Sequence, residues 1–80
     1  MRAVFVMIKT DPGFGTAVAN QVADIESFSE GYTITGQYDV LVKLYVEDTS
    51  TIPRVIERDL HSIPHVRETF TILTFEAFGA

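Results

Sequence analysis

Apolar and polar side chains alternate along two stretches of the chain, which predicts two β-strands. In the first stretch, residues 2–9, both alternating rows are apolar: Val4, Val6 and Ile8 form one row, and Ala3, Phe5 and Met7 form the other. Apolar side chains on both faces are typical of a central strand with material packed on each side. In the second stretch, Val40, Val42, Leu44 and Val46 face one side, and Leu41, Lys43, Tyr45 and Glu47 face the other. The second stretch is therefore expected to be a half-buried strand.

Apolar residues at intervals of three or four predict two helices. A turn signal at residues 10–13, with Asp11 as the candidate cap, precedes the first helix. Its apolar stripe consists of Phe14, Val18, Val22 and Ile25. The sequence DTST at residues 48–51 is expected to cap the second helix, whose first turn tolerates Pro53. Its stripe consists of Ile52, Val55, Ile56, Leu60 and Ile63. Pro64 is expected to end this helix.

Two further strands complete the predicted order β-α-β-β-α-β. One covers about residues 30–36 and forms a hairpin with the strand that begins at Val40, because only a short glycine-containing connection separates them. The other covers about residues 66–75 and mixes threonines with large apolar side chains. With right-handed crossovers, this order predicts an α+β, ferredoxin-like sandwich with a four-stranded antiparallel sheet and both helices on one face.

Length and composition predict a single domain, residues 1–80, that associates with other copies. So short a chain buries only about 60% of its unfolded surface, and the sequence has no cysteine to form disulfides or the usual zinc sites. Association is the remaining source of stability. The sheet face away from the helices carries Ala3, Phe5, Met7, Leu41 and Tyr45, too apolar a surface for water. We therefore expect a dimer in which two sheets pack face to face, like a dimeric α/β barrel.

Charge and hydropathy exclude several classes of partner. The net charge is −5 and the six basic residues are scattered, which argues against direct DNA binding. No apolar run approaches the roughly 18 residues that a membrane span requires. The N-terminus lacks the long apolar core of a signal peptide, so a cytoplasmic location is expected. His61 and His65 flank Pro64 in a predicted loop and would need carboxylate help to bind a metal. No metal or cofactor is therefore predicted.

Two short segments are candidates for a binding site. In the turn of Gly36, Gln37, Tyr38 and Asp39, glycine permits an unusual φ and aspartate can bond turn amides, so turn chemistry alone would explain them. Alternatively, exposed amides near Gly36 take a carboxylate while Asp39 takes an ammonium, as an amino acid requires. On the last strand, Thr69 and Thr71 are either ordinary solvent-facing strand residues or a hydroxyl lining for a small polar ligand.

Two strings in the sequence carry a resemblance to a known family. EGYTITGQYDVLVKLYVED and IPHVRETFTILTFEAF resemble the effector-binding domain of the Lrp/AsnC regulators, the RAM domain (regulation of amino-acid metabolism). The Gly-x-Tyr-Asp turn of that family is matched by Gly36, Tyr38 and Asp39. Its Ile-x-Gly-Val-x-x-Thr-x-Thr stretch is matched by Ile63, Val66, Thr69 and Thr71. His65 stands where the family usually has glycine.

The resemblance implies a ferredoxin-like dimer, dimers gathered into octamers or larger rings, and amino acids bound in clefts between neighbouring dimers. The turn residues Thr35, Gly36, Gln37, Tyr38 and Asp39 would form one wall of the site. Thr69 and Thr71 of a neighbouring subunit would form the other wall. The helix-turn-helix half of such regulators is not in this chain, which implies a stand-alone sensing module without direct DNA binding. Co-assembly with full-length regulators of the family is compatible with the resemblance.

The leading hypothesis is an oligomeric module that binds an amino acid or related metabolite and modulates transcription or amino-acid metabolism through ligand-dependent assembly. One alternative is a small dimeric ferredoxin-like enzyme, of the monooxygenase or isomerase type, because the fold hosts both. Such an enzyme would need a cavity between helices and sheet with a buried histidine or carboxylate, and neither is indicated by the sequence. The second alternative is an assembly scaffold that binds no ligand.

Overall fold

The four strands form one antiparallel sheet with the helical segments on one face. A computed structural model describes residues 1–79. Its elements are β1 (Arg2–Thr10), α1 (Gly15–Val22), β2 (Phe28–Thr33), β3 (Val40–Val46), a second helical segment between Thr49 and Leu60, and β4 (Val66–Leu73). The strand order is β2-β3-β1-β4, with every neighbouring pair antiparallel. The ferredoxin-like α+β fold predicted from the sequence is thereby confirmed.

Strand β1 is central, as its two apolar rows predict. It pairs with β3 on one side, where Val4 lies opposite Leu44, and with β4 on the other, where Val4 lies opposite Leu73. Side chains of the first row, from Val4 to Ile8, are completely buried, whereas those of the second row are half-buried. The helices therefore cover the Val4 row, and the second row lies on the sheet face that they leave uncovered, which we call the open face.

The hydrophobic core fills the space between sheet and helices. Its buried apolar members are Val4, Val6, Ile8, Val18, Val22, Val40, Val42, Leu44, Val46, Ile52, Leu60 and Ile63. Each fully buried side chain of this size contributes roughly 1.5–3 kcal/mol relative to exposure. The β3 alternation predicted from the sequence is reproduced, because its Val40 row is buried and its Leu41 row is not. The core therefore fixes which face of the sheet remains open.

The second helical segment changes its winding along its length. It begins as a 3-10 turn at Thr49–Thr51, continues as α-helix at Ile52–Arg54 and ends as π-helix at Val55–Leu60. Asp48 caps it as predicted, because its Oδ1 accepts a 3.0 Å hydrogen bond from the backbone N–H of Ser50. That bond lowers the pKa of the Asp48 carboxyl below its usual value. The wide π-turn ends with Leu60 fully buried, as its place in the predicted stripe requires.

Three local predictions are wrong. Asp11 does not cap α1: the N-cap position is Phe14, without a side-chain cap bond, because Gly13 at φ +85° turns the chain and leaves Asp11 before the helix. Strand β2 spans Phe28–Thr33 instead of residues 30–36, since the N–H of Ile34 bonds to the carbonyl of Asp39 within the turn. Strand β4 ends at Leu73 instead of residue 75.

The open face combines an apolar half with a polar half. Over β1 and β4, Phe5 lies opposite Ile72, and Met7 lies opposite Phe70; Phe70 and Ile72 are 52% and 40% exposed. Over β2 and β3, the main feature is a 3.5 Å ion pair between Lys43 and Glu30. The apolar half is the part of this face that water solvates least favourably. Within residues 1–79, the helices are too short or too polar to cross a lipid bilayer.

Candidate functional site

The turn at residues 36–39 lies at the end of the sheet where β1 finishes. The N–H of Asp39 donates to the carbonyl of Ile8 at 2.9 Å, and the N–H of Ile34 donates to the carbonyl of Asp39 at 2.9 Å. The Lys9 ammonium donates to the carbonyl of Gln37 at 3.1 Å. Gly36 adopts φ +123°, a conformation that residues with a Cβ rarely reach. Backbone bonds to β1 therefore hold the turn in place, and glycine makes its shape possible.

Asp39 combines a structural role with a free acceptor. Its Oδ2 accepts hydrogen bonds from the backbone N–H of Thr10 at 2.8 Å and from the Thr10 hydroxyl at 3.3 Å. Its Oδ1 makes no hydrogen bond to any atom of residues 1–79. A carboxylate offers about four acceptor positions across its two oxygens. The half-buried Asp39 can therefore hold the end of β1 with one oxygen and present the other to a cation.

Tyr38 connects the turn to the last strand. Its ring lies 6.2 Å from the ring of Phe70, at an interplanar angle of 34°, within the usual range for aromatic pairs. Phe70 stands between Thr69 and Thr71, so the two segments singled out in the sequence meet here although about thirty residues separate them. The two motifs thus lie at neighbouring positions of one sheet.

The two threonines, however, do not face Tyr38 within one chain. Thr69 pairs with Ile8 and Thr71 with Val6, residues of the buried row, so their side chains lie on the helix side while Phe70 lies on the open face. The Thr69 hydroxyl lies 3.0 Å from Nε2 of His61. Thr35 is exposed at the start of the turn. One chain therefore brings together the turn and Phe70, but not the turn and the threonine hydroxyls.

A cluster around His65 was missed in the sequence. His65 has φ +74°; its ring stacks on Phe14 with centroids 3.6 Å apart, and its Nδ1 lies 3.0 Å from Oδ2 of Asp11. The other oxygen of Asp11 lies 3.7 Å from Nε of Arg67. The signal that could have revealed the strained backbone is the glycine that the resembled motif has here, since glycine tolerates positive φ. The aspartate partner, 54 residues away, gives no local signal.

The chemistry available in this part of the molecule is recognition by hydrogen bonds, charge and aromatic contact. Among residues 1–79 the only buried polar residue is Thr10, so the core between helices and sheet carries no buried titratable side chain. Nor does this part of the chain contain a group of three side chains suited to hold a metal ion. The turn offers backbone amides, one free carboxylate oxygen and a tyrosine ring. These groups suit a small zwitterion.

Comparison with known proteins identifies the same domain. The family model described as the Lrp/AsnC ligand binding domain matches residues 3–79. An HTH-type transcriptional regulator of Pyrococcus abyssi, itself uncharacterised, is 31% identical over an alignment of 75 residues, and the match covers 90% of this chain and 50% of the regulator. The chain spans about half the length of the curated relatives it matches.

Solved structures agree with that match. A protein of Thermus thermophilus superposes with a TM-score of 0.92 at 26% identity, covering 100% of both chains. A transcriptional regulator of Neisseria meningitidis, solved in complex with L-Met, superposes with a TM-score of 0.86 at 14% identity, over 99% of this chain and 53% of the regulator; at that identity the likeness concerns the fold. The family match over nearly the whole chain, on the sheet topology described above, shows that this protein belongs to the family of Lrp/AsnC ligand-binding domains.

Proposed function

We propose that the protein binds an amino acid or a closely related metabolite and that binding alters the assembly of its dimers. The site is formed by Thr35, Gly36, Gln37, Tyr38 and Asp39 of one subunit with Thr69 and Thr71 of a neighbour. The role of the protein is regulatory and non-catalytic. Through its assembly state, the protein acts on transcription or amino-acid metabolism in the cytoplasm.

The observation that carries this proposal is the contact between Tyr38 and Phe70. It brings the turn against the strand that bears both threonines. The turn and the last strand then lie at one end of the same sheet, where contact with a neighbouring subunit can bring that subunit's Thr69 and Thr71 to the turn. Turn chemistry alone gives no reason for that proximity.

The groups of the turn match the two charged ends of an amino acid. Asp39 Oδ1 has no partner among residues 1–79 and is available to an ammonium, and a charge-assisted bond of this kind is about twice as strong as a neutral one. Gly36 at φ +123° and the exposed Gln37 offer backbone amides to a carboxylate. The Tyr38 ring, half-buried, provides an apolar surface for a side chain.

The second wall requires another subunit, because Thr69 and Thr71 face the helix side of their own sheet. Strand β4 is an edge strand, so its outer margin is accessible to a neighbouring dimer. A ligand that touches both subunits shifts the assembly equilibrium by its difference in affinity for the two assembly states. The family membership and the L-Met complex of the Neisseria meningitidis regulator support an amino acid as the ligand class.

The test is a thermal-shift screen of the twenty amino acids with light scattering on the same samples. Ligands that bind only the folded, assembled protein raise the melting temperature by mass action. When the ligand concentration is a hundred times the dissociation constant, the added stability is about 2.7 kcal/mol. We expect one chemical class of amino acid to raise the melting temperature and to change the particle size. If no amino acid raises the melting temperature and the particle is larger than a dimer, the result would instead support a scaffold that binds no ligand.

A further inference from the structure

The segment that follows β4 exposes two phenylalanines to an unusual degree. Phe75 is 95% exposed and Phe78 is 87% exposed. Leaving a phenylalanine in water forgoes the stabilisation that burial of its apolar surface would provide. We call residues 74–79, which run on after the end of β4, the tail. Two fully solvated phenylalanines three positions apart indicate that the tail packs on something other than its own domain.

The root of the tail is fixed, so its direction is defined. The Thr74 hydroxyl donates to the carbonyl of Ala3 at 2.6 Å, and the Arg2 guanidinium donates to the carbonyl of Thr74 at 3.2 Å. These bonds tie the tail to the beginning of β1. From there it borders a groove of about 570 Å³ whose floor includes Phe5 and Tyr45 of the open face. The tail thus leaves the sheet beside the open face without covering it.

We infer that the tail of each subunit packs its two phenylalanines on the open face of a second copy of this chain. The inference rests on the dimer that is part of the proposed function, in the face-to-face form expected from the sequence, and it deepens that proposal by naming the segment that joins the two copies. The apolar side chains of the open face, Phe5, Phe70 and Ile72, together with Tyr45 beside the groove, form the surface that receives the partner's tail. A twofold axis lets both tails make the same contact at once.

The area of this contact is that of a stable dimer. An aromatic side chain buries about 150–250 Å², so the four tail phenylalanines of two copies contribute on the order of 600–1,000 Å². The sheet surface that they cover adds a comparable area. Specific interfaces bury about 1,600 ± 400 Å² in total. Tails and open faces together therefore reach this size, whereas tails that remain in solvent would leave the interface smaller.

Charge at the groove also fits a second copy. Glu76 stands between the two phenylalanines of the tail and lines the groove together with two basic residues of its own chain, Arg2 and Lys43. Lys43 already pairs with Glu30, whereas Arg2 makes no ion pair among residues 1–79. In a twofold dimer the acidic residue of each tail approaches the partner's Arg2. Complementary charges of this kind orient partners and disfavour wrong ones.

The first test compares two double variants by sedimentation equilibrium, with circular dichroism to verify folding. Phe75→Ser with Phe78→Ser removes the apolar contact, and we expect the dimer dissociation constant to rise by about 100-fold or more. Phe75→Leu with Phe78→Leu keeps apolar side chains and is expected to stay within about tenfold of the wild type. A folded serine variant whose dissociation constant stays within threefold of the wild type would overturn the inference, as would a wild-type chain that is monomeric.

The second test uses the absence of cysteine from the sequence. Chains with Phe78→Cys and differently tagged chains with Tyr45→Cys are mixed and oxidised, and we expect a disulfide between the two kinds of chain. Asp24→Cys, on the exposed surface after α1, replaces Tyr45→Cys as the control and is expected to give none. If wild-type chains dimerise but the Phe78–Tyr45 cross-link does not form, the tail contact is overturned and the proposed function is unaffected. Amino-acid binding, measured separately by calorimetry, decides the proposed function.

Discussion

Asp39 anchors Thr10 through a single carboxylate oxygen, which accepts both the backbone N–H and the hydroxyl of Thr10. The proposed ammonium contact uses the other oxygen. Structural and binding roles can therefore be separated by substitution, because asparagine retains an acceptor for Thr10 but loses the negative charge.

Asp39→Asn is expected to weaken amino-acid binding by about 1.5–3 kcal/mol, the range for a hydrogen bond to a charged group, with little loss of stability. Asp39→Ala removes both roles and leaves the Thr10 N–H unpaired, so it is expected to cost about 1–3 kcal/mol of unfolding free energy as well. Calorimetry with the amino acid found in the screen and urea denaturation measure the two effects. Wild-type affinity in Asp39→Asn would show that Asp39 does not bind the ligand.

Gly36→Ala tests the shape of the turn. At φ +123° no atom lies within 4 Å of an added Cβ, so the cost is conformational instead of steric. We expect a loss of about 1–2 kcal/mol in unfolding free energy. Gly15→Ala is the matched control, since its Cβ would meet Asp39 Cβ at an ordinary 3.7 Å. Equal stability of the two variants by urea denaturation would contradict this account of the turn.

His65 combines backbone strain with two favourable contacts. His65→Ala removes the Phe14 stacking and the Asp11 partner but keeps φ +74°, whereas His65→Gly removes the contacts and relieves the strain. We expect the glycine variant to be more stable than the alanine variant by about 1 kcal/mol. Thermal denaturation of both variants in one buffer decides the matter. An alanine variant at least as stable as the glycine variant would show that the left-handed backbone carries no strain.

Glu30 gives the open face a pH dependence. The Tyr32 hydroxyl, which donates to Glu30 at 2.6 Å, and secondarily the Lys43 ammonium lower the pKa of this carboxyl below its ordinary 4.5. A carboxyl with a lowered pKa in the folded state stabilises the fold above its unfolded pKa, and this contribution is lost as pH falls through the folded pKa. Urea denaturation should therefore show a stability deficit of Glu30→Gln at pH 7 that shrinks below the ordinary carboxyl pKa of 4.5. The control is Glu57→Gln, which removes a carboxylate that makes no ion pair among residues 1–79 and is measured at the same pH values.

The sequence predicts this fold well where one face of an element is buried along its whole length. Alternation in β1 and β3 identifies the sheet, its open face and the place of β1 at the centre, because burial repeats with the period of the backbone. Prediction fails where a single long-range hydrogen bond or a single turn decides the outcome. Asp11 is a residue type that often caps helices, yet its side chain pairs with His65, which lies just before β4.

The candidate site divides in the same way. Turn composition and the resembled motif point to Gly36, Tyr38 and Asp39 without the structure. They do not reveal that Thr10 occupies one oxygen of Asp39, or that Phe70 meets Tyr38 while its threonine neighbours face the helices. These relations depend on strand register, and a one-residue change in register would move each side chain to the other face.

The pairing of Val4 with Leu73 places the first strand of the chain beside the last. Forming this strand pair closes a loop of about seventy residues. The entropic cost of closing the loop is incurred before the contact contributes any stability. Folding of this small domain is therefore governed by its most distant contacts and should be slower than for a helical bundle of equal length. During synthesis, β1 remains an edge strand until β4 has emerged. Until then its unpaired backbone groups are available to other nascent chains, so the period of greatest aggregation risk ends only with the final strand.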